Sequence, residues 1–459
     1  MTTIENLARR FDSDRRHLRS VAYRHFDRRT LLRGAGALGA ASLALWPAAC
    51  SSDDDALTFF FAANPEEADA RARVVDAFAQ SHPDIKVRML LSGTDPLQHM
   101  SIYCAGGKCP DVLMAWDLTY AGLADRGVLL DLGTMLAQDK TFAAQLKAES
   151  IPSLYQTFTF DGGQYALPEQ WSGNFLFYNK KLFADAGVPP PPVRWEQLWS
   201  FGEFLDTARA LTKRDRSGRV RQWGYVDTWA ATYSAGLFGM NNGVPWSTPR
   251  MNPRHLNFDN EAFLKGVQFD ADLAHKHKVA PTPSDTQSMS SMDLFASGRA
   301  GMALGGHWRY QTVDRANGLD FDITVLPSGA SGRAARSNIG TTGLAIAASS
   351  RRKQQAWEFV KFATGPVGQA VIGETGLFVP VLRSAITSAG FARAHARIGN
   401  LDVLTGGPSH SEGMPITPDW PKIAALMDRD IGPVLRGVRP ATSLASGLSH
   451  AVDEVLRSP

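Results

Sequence analysis

The sequence predicts an α/β protein built on parallel sheet, with helices on both faces. Two observations carry that prediction. Apolar runs alternate with amphipathic stretches between Leu57 and Arg126, and a β-α-β-α order closes most readily as parallel strands joined by crossover helices. The composition, 44% hydrophobic and 20% charged, is that of a soluble globular chain. At about 150 residues per domain, a chain of 459 residues fits two domains or one large α/β body.

The elements follow in order. Leu57-Thr58-Phe59-Phe60-Phe61 reads as a buried strand. Asn64-Pro65-Glu66-Glu67 supplies a cap residue, a proline at the first helical position and acids in the first turn. Val74, Val75 and Phe78 give that helix an apolar face up to Pro83. A strand at 85–91, a helix at 96–103, a strand at 111–115 and a helix at 120–126 complete the first unit. Farther on, 175–178 is strand-like, and the proline run 189–192 is an extended spacer before a helix expected from Trp195 to Leu211. Residues 259–277, 355–363, 422–435 and 444–455 have helical character, and 321–326 and 343–348 are strand candidates.

Residues 27–50 stand apart. Asp27-Arg28-Arg29-Thr30-Leu31-Leu32-Arg33 precedes an uncharged run from Gly34 to Ala49, and Cys50 closes it. Paired arginines, a short apolar run and a small-residue boundary describe an export signal. The run is too short, and too rich in Ala and Gly, for a spanning helix of about twenty apolar residues. The segment resembles a twin-arginine signal, and Cys50 resembles the lipidated cysteine of a bacterial lipoprotein, although Pro47 stands where such signals carry Leu. The expected organisation is an export signal at 1–49, a polar tether at 50–55 and a working body beyond it, outside the cytoplasm and held to the cell membrane through Cys50. The net charge is +3, and the arginines crowd before Cys50. The body is then near neutral or acidic, with no electrostatic case for nucleic acid. Cys104 and Cys109 flank Ala-Gly-Gly-Lys; in an oxidising compartment they can form a disulfide that rigidifies a loop tip. No His or further Cys lies at metal-ligand spacing beside them. No cofactor is expected.

Several strings line up with one family. Cys109-Pro110-Asp111-Val112, Trp116-Asp117 and the run from Leu123 to Leu132 come first. Gln164-Tyr165-Ala166-Leu167-Pro168 and the run from Phe177 to Gly187 follow, then Trp195-Glu196-Gln197-Leu198. Phe295 to Met302, Gly306-His307-Trp308, Gly340 to Ala348 and Ala356 to Ala363 complete the series. In order and spacing they resemble the extracellular solute-binding proteins of ABC importers, in the carbohydrate-binding, maltose-binding-protein-like branch (family 1). The resemblance extends from about residue 56 to 420. It implies a two-lobed periplasmic-binding-protein fold, each lobe a mainly parallel sheet flanked by helices, with three hinge crossovers near Pro168, Asn338 and Arg383. Residues 56–168 and 339–383 would form lobe 1, and 169–338 and 384–459 lobe 2. It further implies a non-catalytic, monomeric receptor that binds a small-molecule carbohydrate and delivers it to ABC permease subunits.

Ligands of open sheets sit at strand carboxyl ends. A sugar site combines aromatic platforms with directional carboxylates, amides and hydroxyls. Of the eleven tryptophans, Trp195, Trp199 and Trp357 lie in helical patterns and are assigned to packing. Trp116, Trp171, Trp229, Trp308 and Trp420 lie at strand or loop edges beside polar or glycine residues. Trp308 matches a family tryptophan that stacks on sugar, with His307 beside it. Asp117 matches a carboxylate that holds sugar hydroxyls, and it equally fits a helix cap before Leu118. Ser172 stands where maltodextrin-binding members carry Glu. Asn64, Ser92, Asn241, Asn242, Thr341 and Thr342 complete the expected contacts, and Asn241-Asn242-Gly243 also fits a plain turn. Acids at Asp117, Asp227 or Glu412 would favour an amino sugar. Arg309, Arg333 and Arg336 are available to glycerol-3-phosphate or a glycerophosphodiester instead. A secreted glycosidase would need a carboxylate pair such as Asp117 and Glu169. The sequence holds no Gly-x-Ser-x-Gly, His-Glu-x-x-His or P-loop string.

Overall fold

The computed structural model describes residues 55–92, 96–330 and 332–457. The export signal, Cys50 and the tether up to Asp54 lie outside the described residues. Two five-stranded sheets organise the body. The first contains β1 (Leu57–Ala62), β2 (Val87–Ser92), β3 (Val112–Trp116), β4 (Leu167–Trp171) and β11 (Thr341–Ile346), in the order β2-β1-β3-β11-β4. The second contains β5 (Asn174–Asn179), β6 (Lys213–Arg214), β7 (Val220–Asp227), β8 (Ala300–Gly306) and β9 (Phe321–Thr324), in the order β9-β5-β8-β7-β6. A small parallel pair, β10 (Ser337–Asn338) with β12 (Ser411–Glu412), belongs to neither sheet.

The sheets are mixed rather than mainly parallel. β1 pairs β2 and β3 in parallel, but β11 runs antiparallel to both β3 and β4. In the second sheet only β7 and β8 are parallel; β5 opposes both β8 and β9. The physical reason is connectivity. Crossover helices enforce parallel order inside β1–β3, whereas β11 enters the first sheet after the chain has built the second, free of the crossover constraint.

Local sequence fixes the element ends. Asn64 and Glu67 exchange capping hydrogen bonds of 2.8 and 3.0 Å at the start of helix Pro65–Ser81. The helix expected from Trp195 begins at Phe201, because Ser200 and Glu203 form the same reciprocal cap there. Pro168 lies inside β4, paired with Gly343, so the chain leaves the first sheet at Ser172-Gly173. Helix Ala231–Asn241 falls where no element was expected, and its two glycines each give room to an aromatic ring: a Cβ on Gly236 would lie 1.9 Å from Trp246 and one on Gly239 2.8 Å from Phe263. Cys104 and Cys109 are joined as a disulfide. No helix among the described residues is long and apolar enough to cross a membrane.

Candidate functional site

The carboxyl ends of the central strands of both sheets meet at one cavity of about 590 Å3. The first sheet contributes Ala62 after β1, Trp116 and Asp117 at the end of β3, and Gln170 and Ser172 at the end of β4. β11 runs the other way, so its start, Thr341 and Thr342, reaches the same rim. The second sheet contributes Thr228 and Trp229 after β7, and Trp308 and Arg309 after β8. Asn338, Gly340 and Met414 line the side where the chain passes between the sheets.

The first-sheet wall is cross-braced. Arg71 Nε and Nη2 donate to Glu169 at 3.1 and 2.9 Å, and both residues are buried. The guanidinium also lies over the rings of Phe61 and Phe378. Thr342 Oγ1 donates to Glu169 at 3.2 Å and accepts from Gln170 Nε2 at 3.0 Å. Ser172 Oγ donates to Gln170 Oε1 at 2.6 Å. Asp117 accepts from the Thr341 backbone N–H at 3.4 Å. Burial pushes the Asp117 carboxyl up to about 6, against the attraction of Arg250. The second-sheet wall is looser. Arg309 Nη2 donates to the Thr228 carbonyl at 2.7 Å, while its buried Nε has no hydrogen-bond partner among the described residues. Trp308 folds back over Gly306, where a Cβ would come within 1.8 Å of the indole.

Eight of the residues singled out from sequence line this cavity: Trp116, Asp117, Ser172, Trp229, Trp308, Arg309, Thr341 and Thr342. The others lie elsewhere, each for a visible reason. Trp171 is fully buried; its indole donates to Ser411 Oγ at 3.1 Å, and its ring leaves no room for a Cβ on Gly173 or Gly407. Asn64 is an exposed helix cap. Ser92 is buried against His99 at 2.9 Å. Asn241 clamps the Arg336 backbone with both ends of its amide, at 3.0 and 2.7 Å. His307 is buried against His395. Trp420 is a buried helix-start residue, and Asp227 lines a separate chamber behind Trp229. Asp117 is not a helix cap, since the following helix starts at Tyr120 with Thr119 before it. Arg333 is tied to the Gly243 carbonyl, leaving Arg309 alone of the three arginines in the cavity. Sequence reasoning missed Arg71 and Gln170 as neighbours of the site, whereas Thr341 was among the expected contacts. Gln170 was accessible, because it sits at the end of the strand that opens with the Ala166-Leu167-Pro168 string.

The profile of the bacterial extracellular solute-binding proteins matches residues 63–370, more than half of the chain. The chain belongs to that family. An uncharacterized lipoprotein of Streptomyces antibioticus is 25% identical over 311 residues, covering 66% of this chain and 65% of that protein. Among solved structures, an ABC substrate-binding protein of Listeria monocytogenes in complex with cycloalternan superposes with TM-score 0.76 at 21% identity, over 87% of this chain and 98% of its own. A Mycobacterium tuberculosis protein in complex with glycerophosphocholine superposes with TM-score 0.72 at 22% identity, over 87% and 98%. The two-lobed α/β fold is thus that of the maltose-binding-protein-like structures. The family is one of binding proteins rather than enzymes. The carboxylate pair considered for a glycosidase, Asp117 and Glu169, is tied up on one side, because Glu169 is engaged by Arg71 and Thr342.

Proposed function

We propose that this chain is the extracytoplasmic substrate-binding lipoprotein of an ABC importer, and that the cavity captures a carbohydrate for delivery to the permease. One observation carries the reading: three indoles, Trp116, Trp229 and Trp308, share a cavity with the carboxylate, amide and hydroxyls of Asp117, Gln170, Ser172 and Thr342. Apolar sugar faces suit the rings, and sugar hydroxyls suit the directional polar groups. The lobes are built on the two sheets, with the chain crossing at Ser172-Gly173, around Asn338 and near Arg383. Ligand bridging the two walls favours the closed form, and the permease reads that form. Cys50 carries the lipid anchor. Its acyl chains must number more than one for stable attachment; Cys50→Ala is expected to move the protein from membrane to soluble fractions.

A thermal-shift panel of oligosaccharides, amino sugars and glycerophosphodiesters tests the ligand class. Ligand at a hundred times its Kd stabilises the fold by about 2.7 kcal/mol. The expected result is a rise in melting temperature with a sugar and no turnover of it. A second reading, a glycerophosphodiester ligand, is favoured by Arg309, whose Nε faces no partner among the described residues and could meet a phosphate oxygen. A shift with glycerophosphocholine and none with sugars would select that reading.

A further inference from the structure

His307 opens the turn that follows β8, directly before Trp308, and is 2% exposed; His395 follows helix Ala389–Ala394 and is 1% exposed. Their Nε2 atoms lie 2.7 Å apart. At the opposite edge of each ring, His307 Nδ1 is 3.0 Å from the Leu377 carbonyl oxygen, and His395 Nδ1 is 2.7 Å from that of Phe391. A carbonyl oxygen only accepts, so each Nδ1 carries a proton. A neutral imidazole has one N–H, so both Nε2 atoms bring lone pairs to the same short contact. That contact is attractive only with a proton between them.

We propose that His307 and His395 share a single proton as one bis-imidazole cation, and that this pair is a positioning device for the turn that carries Trp308 into the cleft. The surroundings suit a buried cation. The Tyr310 ring lies 5.6 Å from His307 and 5.1 Å from His395, and the Phe391 ring lies 4.1 Å from His395. Asp314, on the helix Tyr310–Asp314, attracts the His395 charge, and Arg397 pairs with Asp314 at 3.7 Å. Of the other charged groups on the packed elements, Glu374 beside the Leu377 segment and Arg393 on the His395 helix are exposed, and Arg309 on the His307 turn donates to the Thr228 carbonyl at 2.7 Å. Burial opposes the proton on both rings, so the contact holds it only while the two lone pairs need it. The contact is therefore stable below the pair's own pKa and lost as pH rises through it, when repulsion opens the rings. A second proton at acid pH breaks it as well.

The test uses the full chain without ligand, labelled with 15N-histidine. The expected result is one far-downfield proton shared by two equivalent Nε2 nitrogens, absent from His395→Gln. Glutamine offers a permanent amide N–H to His307, so that variant keeps the contact without a titrating proton. The indole signal of Trp308, identified by its loss in Trp308→Phe, should shift as pH rises through the range at and below about 6.5, the unperturbed histidine value, in the native protein and stay fixed in His395→Gln. Two ordinary single-proton tautomers over that range would overturn the shared proton; a Trp308 signal that moves equally in both proteins would overturn the positioning role. Should His395→Gln fail to fold, the native spectrum decides alone. The consequence for ligand capture rests on the cleft reading above. The spectra do not, so a cleft that binds no sugar leaves this test intact.

Discussion

The two walls of the cleft are built on opposite plans. On the first-sheet side, Arg71, Glu169, Thr342, Gln170 and Ser172 already satisfy one another in a continuous chain of hydrogen bonds. On the second-sheet side, the lining includes the indoles Trp229 and Trp308, and Arg309 keeps an unpartnered Nε among the described residues. A cross-braced network holds acceptors in fixed directions before ligand arrives. A wall of rings and one incompletely paired cation has capacity left for whatever the closing lobe brings to it. The contrast assigns geometry to one wall and adaptation to the other, and it can be broken at either.

The largest effect belongs to the braced wall. Glu169→Ala strands Arg71 in the core with its charge uncompensated, and breaking a buried pair from one side costs about 3–5 kcal/mol. Urea denaturation should show that loss. Arg309→Ala on the other wall should cost less than about 1 kcal/mol, because it removes a cation whose pairing is incomplete. Equal losses would erase the distinction between the walls.

Next come two tryptophans that the sequence could not separate. Trp171→Ala should cost about 3–5 kcal/mol of stability, since the indole fills a slot walled by Gly173 and Gly407 and donates to Ser411. Trp308→Ala should leave stability nearly intact and instead weaken the ligand found in the thermal-shift panel by about 2 kcal/mol, roughly thirtyfold. Calorimetric titration of a folded Trp308→Ala protein gives the number. An unchanged affinity would remove Trp308 from the binding wall.

This pair also shows what was legible in the sequence. The strands and helices up to Arg126 were readable because apolar runs, caps and prolines are local signals; Leu57–Ala62 and Pro65–Ser81 lie where the pattern put them. The rim at Trp116 and Asp117 followed from the rule that sites form at strand ends. In the sequence Trp171 and Trp308 both read as strand or loop edges beside polar residues or glycine. Their fates differ because Gly407 and Ser411 come back from far along the chain to bury one of them. Long-range contact, rather than local pattern, decided that case, as it did for Asn241 and the Arg336 segment. The direction of β11 was illegible for the same reason: nothing inside a strand records which sheet the chain has just left.

The smallest effect is the most discriminating between the two ligand classes. Burial raises the Asp117 carboxyl to about 6, so the folded protein disfavours its charged form. That penalty is absent below the ordinary carboxylate range and complete above about pH 6, and the unliganded fold therefore loses stability as pH rises through that window. A sugar whose hydroxyls donate to Asp117 needs the ionised carboxylate. Its affinity should rise about tenfold per pH unit below 6, flatten above, and lose the dependence in Asp117→Asn. A phosphodiester is repelled by the same charge, so its affinity should fall as pH rises through the same window. The phosphate's own charge stays constant there, leaving Asp117 as the source of the slope. Binding isotherms at pH values on either side of about 6 thus give opposite signs for the two ligands, and a flat profile for both would place Asp117 outside the contact set.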